Sequence, residues 1–164
     1  MHTEVNMSYT NKNLMPGEKV VYKANIHWFV FIPSILLLVF SIYLIASAPS
    51  GKDGLGLTTV GTLIIFVSLW KFAKALIYKM STELAVTNKR VIAKVGLIKR
   101  NTIELNHSKV ESYAVNQPIF GRIFDYGSIT ITGTGGVKNP IPNIDSPILF
   151  RNAAVGAVDD LQSA

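Results

Sequence analysis

From Trp28 to Ala48 the chain reads WFVFIPSILLLVFSIYLIASA, 21 residues without a charge. About 20 apolar residues is what a helix needs to cross the hydrocarbon core of a bilayer, so this run constrains the fold more than any other feature. Two other readings compete with a span. A secretory signal peptide would use Ala46-Ser47-Ala48 as its small-residue cleavage site. Against it, the run exceeds the roughly 7–15 residues of a signal core, Pro49 follows the would-be cut, and a second apolar segment comes soon after. A pair of buried core helices in a soluble protein would need a shell that a chain of 164 residues has little material to build. Pro33 falls in the second turn of the run, where it removes one backbone donor and predicts a kink near the interface.

The second apolar segment runs from Leu55 to Ile77 and is interrupted near its end by Lys71 and Lys74. Lysine stems lie along apolar surface while their ammonium groups reach headgroups or water, so lysines near a helix end are compatible with a span. Between the segments, Pro49-Ser50-Gly51-Lys52-Asp53-Gly54 is a short turn-rich loop that makes the two helices antiparallel neighbours. Trp28 opens the first helix and Trp70 approaches the end of the second, which places both indoles at one membrane face together with Lys71, Lys74 and Lys79. Of the 16 lysines and arginines only Lys52 lies in the connecting loop. The positive-inside rule then puts both termini in the cytoplasm, as a two-span protein of the cell membrane.

After Met80 continuous apolar runs give way to alternation punctuated by turns, the pattern of short half-buried strands. At least six strands are predicted: Glu83–Thr87, Arg90–Val95, Ile98–Leu105, Val110–Asn116, Ser128–Thr132 and Val137–Ile144. Asn88-Lys89 reads as a two-residue hairpin turn, and Pro140 and Pro142 assign the last strand to an edge, because proline cannot donate to a ladder. The stretch around Ile119, Phe120, Ile123 and Phe124 suggests a short helical turn that plugs one end of the sheet. At the C-terminus Ser146 is a candidate N-cap, Pro147 suits the first helical position, and Phe150, Ala154, Ala157 and Leu161 recur at helical spacing. Strands closed by one amphipathic helix give a small, strongly bent sheet or partly open barrel with the helix over one opening.

The chemistry-bearing residues point away from catalysis. There is no cysteine, so thiolate nucleophiles, thiolate metal sites and disulfides are excluded. His2, His27 and His107 have no partner at metal-ligand spacing, and no cofactor is expected. Gly133-Thr134-Gly135-Gly136 sits between strands without the Lys-Ser/Thr pair and helix of a phosphate loop, so it reads as a hairpin turn. The formal charge of +6 invites a nucleic-acid reading, but the basic residues are not interleaved with aromatics along one strand face. Contact with anionic headgroups is the simpler use of that charge, with Lys89, Arg90, Lys99 and Arg100 as candidate headgroup or partner contacts near strand ends. The alternative is that they are solvated charges that keep strand edges from pairing.

Several of these pieces occur together in a known pattern. Leu84-Ala85-Val86-Thr87-Asn88-Lys89-Arg90-Val91-Ile92 is followed by Gly96-Leu97-Ile98, then by Gln117 before Phe120-Gly121-Arg122-Ile123-Phe124, and by Tyr126-Gly127-Ser128-Ile129. With Pro16-Gly17-Glu18, His27-Trp28 and the apolar hairpin in front, the chain resembles the YdbS-like bacterial PH (pleckstrin-homology-like) domain family from about Pro16 onward. The resemblance implies a PH-like domain, a bent antiparallel sheet sandwich capped by a terminal helix, at the inner face of a bacterial membrane. It implies no enzyme and carries no functional residues onto this sequence. The basic first-hairpin pattern of phosphoinositide-binding PH domains, Lys-x-Lys/Arg-x-Arg, is not met here. The expected organisation is a lead-in over 1–27, a helical hairpin over 28–78 and a PH-like cytoplasmic domain over 79–164. Its expected role is a non-enzymatic interaction module that binds a protein partner or its own copies, with binding of anionic membrane lipid by the domain as the alternative.

Overall fold

A computed structural model describes residues 10, 13–96 and 101–162. The chain divides into two compact units, Trp28–Met80 and the remainder on either side of it.

The first unit is a helical hairpin. A 3-10 turn, Trp28–Phe31, leads into helix α1, Ile32–Ala46, and after Lys52–Gly54 helix α2 runs over Leu55–Ser81. Both helical stretches are long and apolar enough to cross a membrane, with mean hydropathies of 2.6 and 1.8. Pro33 does not fall in the second turn as expected, because α1 begins only one residue before it. Pro33 lies in its first turn, where the backbone donor that proline lacks has no helical partner to lose. The seam between α1 and α2 is built from small residues seven apart. The Ser68 hydroxyl donates to the Ser34 carbonyl across the seam at 2.7 Å. One turn pair further along, a Cβ on Gly61 would lie 2.6 Å from Ile45 Cγ1 and 3.2 Å from the Ser41 carbonyl oxygen, so only glycine permits this approach. The outward faces are large and apolar, among them Leu36, Val39, Ile42, Leu63 and Phe66, all exposed.

The second unit contains seven strands in two antiparallel sheets among the described residues. β1 (Val20–Ala24), β2 (Glu83–Thr87), β3 (Arg90–Val95) and β4 (Asn101–Asn106) form one sheet in that order. β5 (Val110–Asn116), β6 (Tyr126–Gly133) and β7 (Lys138–Asp145) form the other. Between β5 and β6 lies a five-residue helix, α3, Ile119–Ile123, and the chain ends in helix α4, Pro147–Gln162. α4 packs on β1 and β2 of one sheet and on β5 and β6 of the other, closing the bent sandwich that the resemblance implied. Its inward residues Phe150, Ala154 and Ala157 meet a core of Leu84, Val86, Ile92, Ile129, Ile131, Ile141 and Ile144, all buried. β7 is an edge strand, with Pro140 opposite Thr130, as its prolines require. Gly135 and Gly136 adopt φ of +96° and +76° in the β6–β7 turn, a conformation other residues rarely take.

Three expectations are corrected here. β1 lies in the stretch read as a lead-in, and it pairs with β2 through Ala24 and Leu84. Ser146 precedes α4, but its φ of +47° is not that of an N-cap, and its hydroxyl donates to Asp125 Oδ2 at 2.7 Å instead of to the helix. The α3 side chains do not plug the sheet. Ile119, Phe120, Ile123 and Phe124 are 80%, 62%, 68% and 44% exposed.

Candidate functional site

Arg90 shows how the β unit is held together. It was expected at the surface as a headgroup or partner contact, and the structure corrects this: the residue is 5% exposed. Its Nε donates to Glu18 Oε1 at 2.9 Å and its Nη2 to Glu18 Oε2 at 3.0 Å, the two-pronged geometry in which guanidinium and carboxylate match best. Nη1 donates to Glu104 Oε2 at 2.6 Å and Nη2 also to the Asn13 carbonyl at 2.7 Å. The Thr87 hydroxyl and the Met15 N–H add bonds to the two Glu18 oxygens at 2.8 and 2.7 Å. Burial works to raise the Glu18 carboxyl, but the hydrogen bonds from Arg90, Met15 and Thr87, with the charge of Arg90, hold it below the ordinary carboxylate value. The cluster ties residues 13–18 to the β2–β3 turn. Its function is structural, because every strong donor in it is already engaged within the chain.

The remaining basic candidates separate. Lys89 is exposed, with its ammonium on the Pro16 carbonyl at 2.9 Å. Lys99 and Arg100 lie outside the described residues. On α2, Lys71, Lys74 and Trp70 are exposed, Lys79 is half-buried, and the Lys74 ammonium sits 5.1 Å from the centre of the Trp70 ring. Trp28 is exposed in the turn before α1. The Ser68–Ser34 bond fixes the register of the hairpin and brings Trp70 to within about one turn of the level of Trp28.

His107 is buried, with Nε2 2.7 Å from the Thr87 carbonyl, so that nitrogen carries the proton. It supports the turn from β4 into β5. His27 is also buried and stacks on Tyr126 with ring centres 5.4 Å apart.

The feature best suited to binding was not singled out from the sequence. Among the described residues β5 is bonded to β6 on one side only, and between it and α4 runs an open groove of about 250 Å³. Val110, Glu111, Ser112 and Tyr113 line one wall, and Arg151, Val155 and Val158 the other. The Tyr113 hydroxyl is buried and has no hydrogen-bond partner among the described residues. Burial pushes it up to about 12, so it remains a donor at any physiological pH. The groove falls below the roughly 300–1,000 Å³ of pockets that enclose small ligands, but it matches the side chains of an extended segment laid beside a strand.

The profile of the Bacterial PH domain family matches residues 29–154, which takes in both apolar helices, strands β2 to β7 and the first half of α4. The chain belongs to that family. No curated protein and no solved structure matches it. In this bacterial PH domain protein the two sheets and the closing helix are the PH-like module, a class that generally binds rather than catalyses. A bacterial PH unit therefore asks for a binding surface, and the β5–α4 groove offers a strand edge, apolar walls and a cationic side chain in one place.

Proposed function

We propose that this chain is a membrane-anchored, non-enzymatic interaction module of the YdbS-like kind, which takes up an extended segment of a protein partner along β5 at the inner face of a bacterial membrane. The observation that carries this reading is the free β5 edge beside α4. An added strand satisfies the unpaired N–H and C=O groups of such an edge, and alternate side chains of the segment enter the groove. Val110, Val155 and Val158 suit apolar side chains, and Arg151 suits a carboxylate.

The anchoring half of the proposal rests on the hairpin. Its outward faces expose leucine, isoleucine, valine and phenylalanine along both helices, a surface suited to lipid and costly in water. Trp28, Trp70, Lys71, Lys74 and Lys79 are the proposed interface residues, and the placement of lysine and arginine favours cytoplasmic termini and a cytoplasmic PH-like domain. Headgroup binding by the β unit is the lesser reading, since Arg90 is committed to Glu18 and Glu104.

A photo-crosslinking amino acid at Ser112, introduced into the full chain in native membranes, tests the partner site. The expected result is a discrete adduct that disappears in Val155→Asp, while the same probe at Val137 gives none. An adduct of twice the chain mass would assign the edge to self-association. Lipid adducts alone, or an adduct indifferent to Val155→Asp, would contradict the proposal.

A further inference from the structure

The four large apolar side chains that α3 exposes need an environment. Ile119, Phe120, Ile123 and Phe124 follow i, i+1, i+4, i+5 spacing and so share one side of the turn. The opposite side is fixed to the sheet. A Cβ on Gly121 would collide with the Tyr126 carbonyl, and Gln117 Nε2 donates to the carbonyls of Gly121 and Tyr126, at 3.4 Å each. The apolar face is thus held outward by the backbone and does not reach solvent by loose fraying. Arg122 is exposed in the same turn.

Where this face lies within the β unit supplies the second observation. Tyr126, two residues beyond Phe124, is the residue on which the His27 ring stacks. The His27 N–H donates to the Asn143 carbonyl at 2.7 Å, the Asp145 N–H to the Asn25 carbonyl at 2.9 Å, and Ile26 bridges to Ile144. The end of β1 at Ala24 lies opposite the start of β2 at Leu84. Both points at which the chain leaves the β unit for the apolar helices, after His27 and before Ser81, are therefore at the α3 end of that unit. Val137, an exposed apolar residue in the β6–β7 turn, is at the other end of β6.

We infer that α3 is a third membrane contact: Ile119, Phe120, Ile123 and Phe124 enter the interfacial layer of the bilayer, with Arg122 at the level of its anionic headgroups. This rests on the reading of the helical hairpin as a membrane anchor. Apolar side chains on a short amphipathic turn sink about 5–10 Å into the boundary between headgroups and acyl chains, and a neighbouring cation strengthens the attraction to anionic lipid. Such a contact would hold the α3 end of the β unit against the bilayer.

The natural absence of cysteine permits a clean test on the intact protein. Leu63→Cys, Phe120→Cys, Ile123→Cys and Val137→Cys, each made singly and nitroxide-labelled, are reconstituted in nanodiscs of phosphatidylcholine and phosphatidylglycerol. Relaxation by oxygen, which concentrates in lipid, is compared with relaxation by a water-soluble nickel chelate. The expected result is an oxygen-to-nickel ratio at positions 120 and 123 several-fold above that at 137 and shifted in the direction of position 63. Ratios at 120 and 123 equal to that at 137 overturn the inference. So does shielding from both reagents, which means that a protein surface covers the face. Nickel access at position 63 would instead sink the membrane reading itself, a distinct failure.

Discussion

At the scale of single residues the account turns on Arg90 and Tyr113. Removing one partner of a buried, hydrogen-bonded ion pair costs about 3–5 kcal/mol, so Arg90→Ala is expected to lower the unfolding free energy of the β unit by that amount, read by denaturant titration in detergent. The Glu18 carboxyl is held below its ordinary value of 4.5, so it contributes stability above that pH, and the contribution is lost as pH falls through the folded-state value. Glu18→Gln is expected to flatten this acid limb, and a variant that keeps the full acid dependence would contradict the assignment. Tyr113→Phe should do the opposite of Arg90→Ala. Deleting a buried hydroxyl with no partner among the described residues relieves an unsatisfied group, so stability is expected to hold or rise by about 1 kcal/mol. Arg90 was misread from sequence for a plain reason. A strand-end arginine followed by alternating residues looks solvated, and the carboxylate that buries it is 72 positions away. The nearest signal was Pro16-Gly17-Glu18, visible only as part of a resemblance. Tyr113 carried no signal at all, since an unengaged hydroxyl is defined by what surrounds it.

At the scale of elements, the tightest test is the seam between α1 and α2. Gly61→Leu forces a side chain into the space of Ile45 and the Ser41 carbonyl, and overpacking of this kind costs about 1–3 kcal/mol. The expected outcome is a hairpin that loses thermal stability in detergent while Gly56→Leu, which meets open space, leaves it unchanged. The strands β2, β3, β5, β6 and β7 were legible because alternation and turn residues bound each of them. β1 was not, because Val20–Ala24 is an edge strand with one fully buried residue, and it precedes the helices while its partner β2 follows them. α3 was legible as a helical turn, yet its direction was not. Sequence records that Ile119, Phe120, Ile123 and Phe124 share a side, and only the contact of Gly121 with Tyr126 decides which side faces out.

At the scale of the molecule, the chain interrupts a β unit with an apolar hairpin: among the described residues β1 comes before the two helices and the other six strands after them. In the proposed two-span topology both ends of the hairpin lie on one side of the membrane, which lets β1 pair with β2 and complete the PH-like module. Which side that is follows, in the proposed topology, from the placement of lysine and arginine. In spheroplasts a membrane-impermeant maleimide is expected to label Lys52→Cys in the loop between the helices and to reach Lys138→Cys only after lysis; the reverse pattern would invert the proposed topology. The measurement that bears most directly on the whole account is alkaline carbonate extraction of membranes holding the intact protein. The account predicts that the chain stays in the pellet and is released by detergent alone, and its recovery as a dispersed, uniform species in the carbonate supernatant would contradict it.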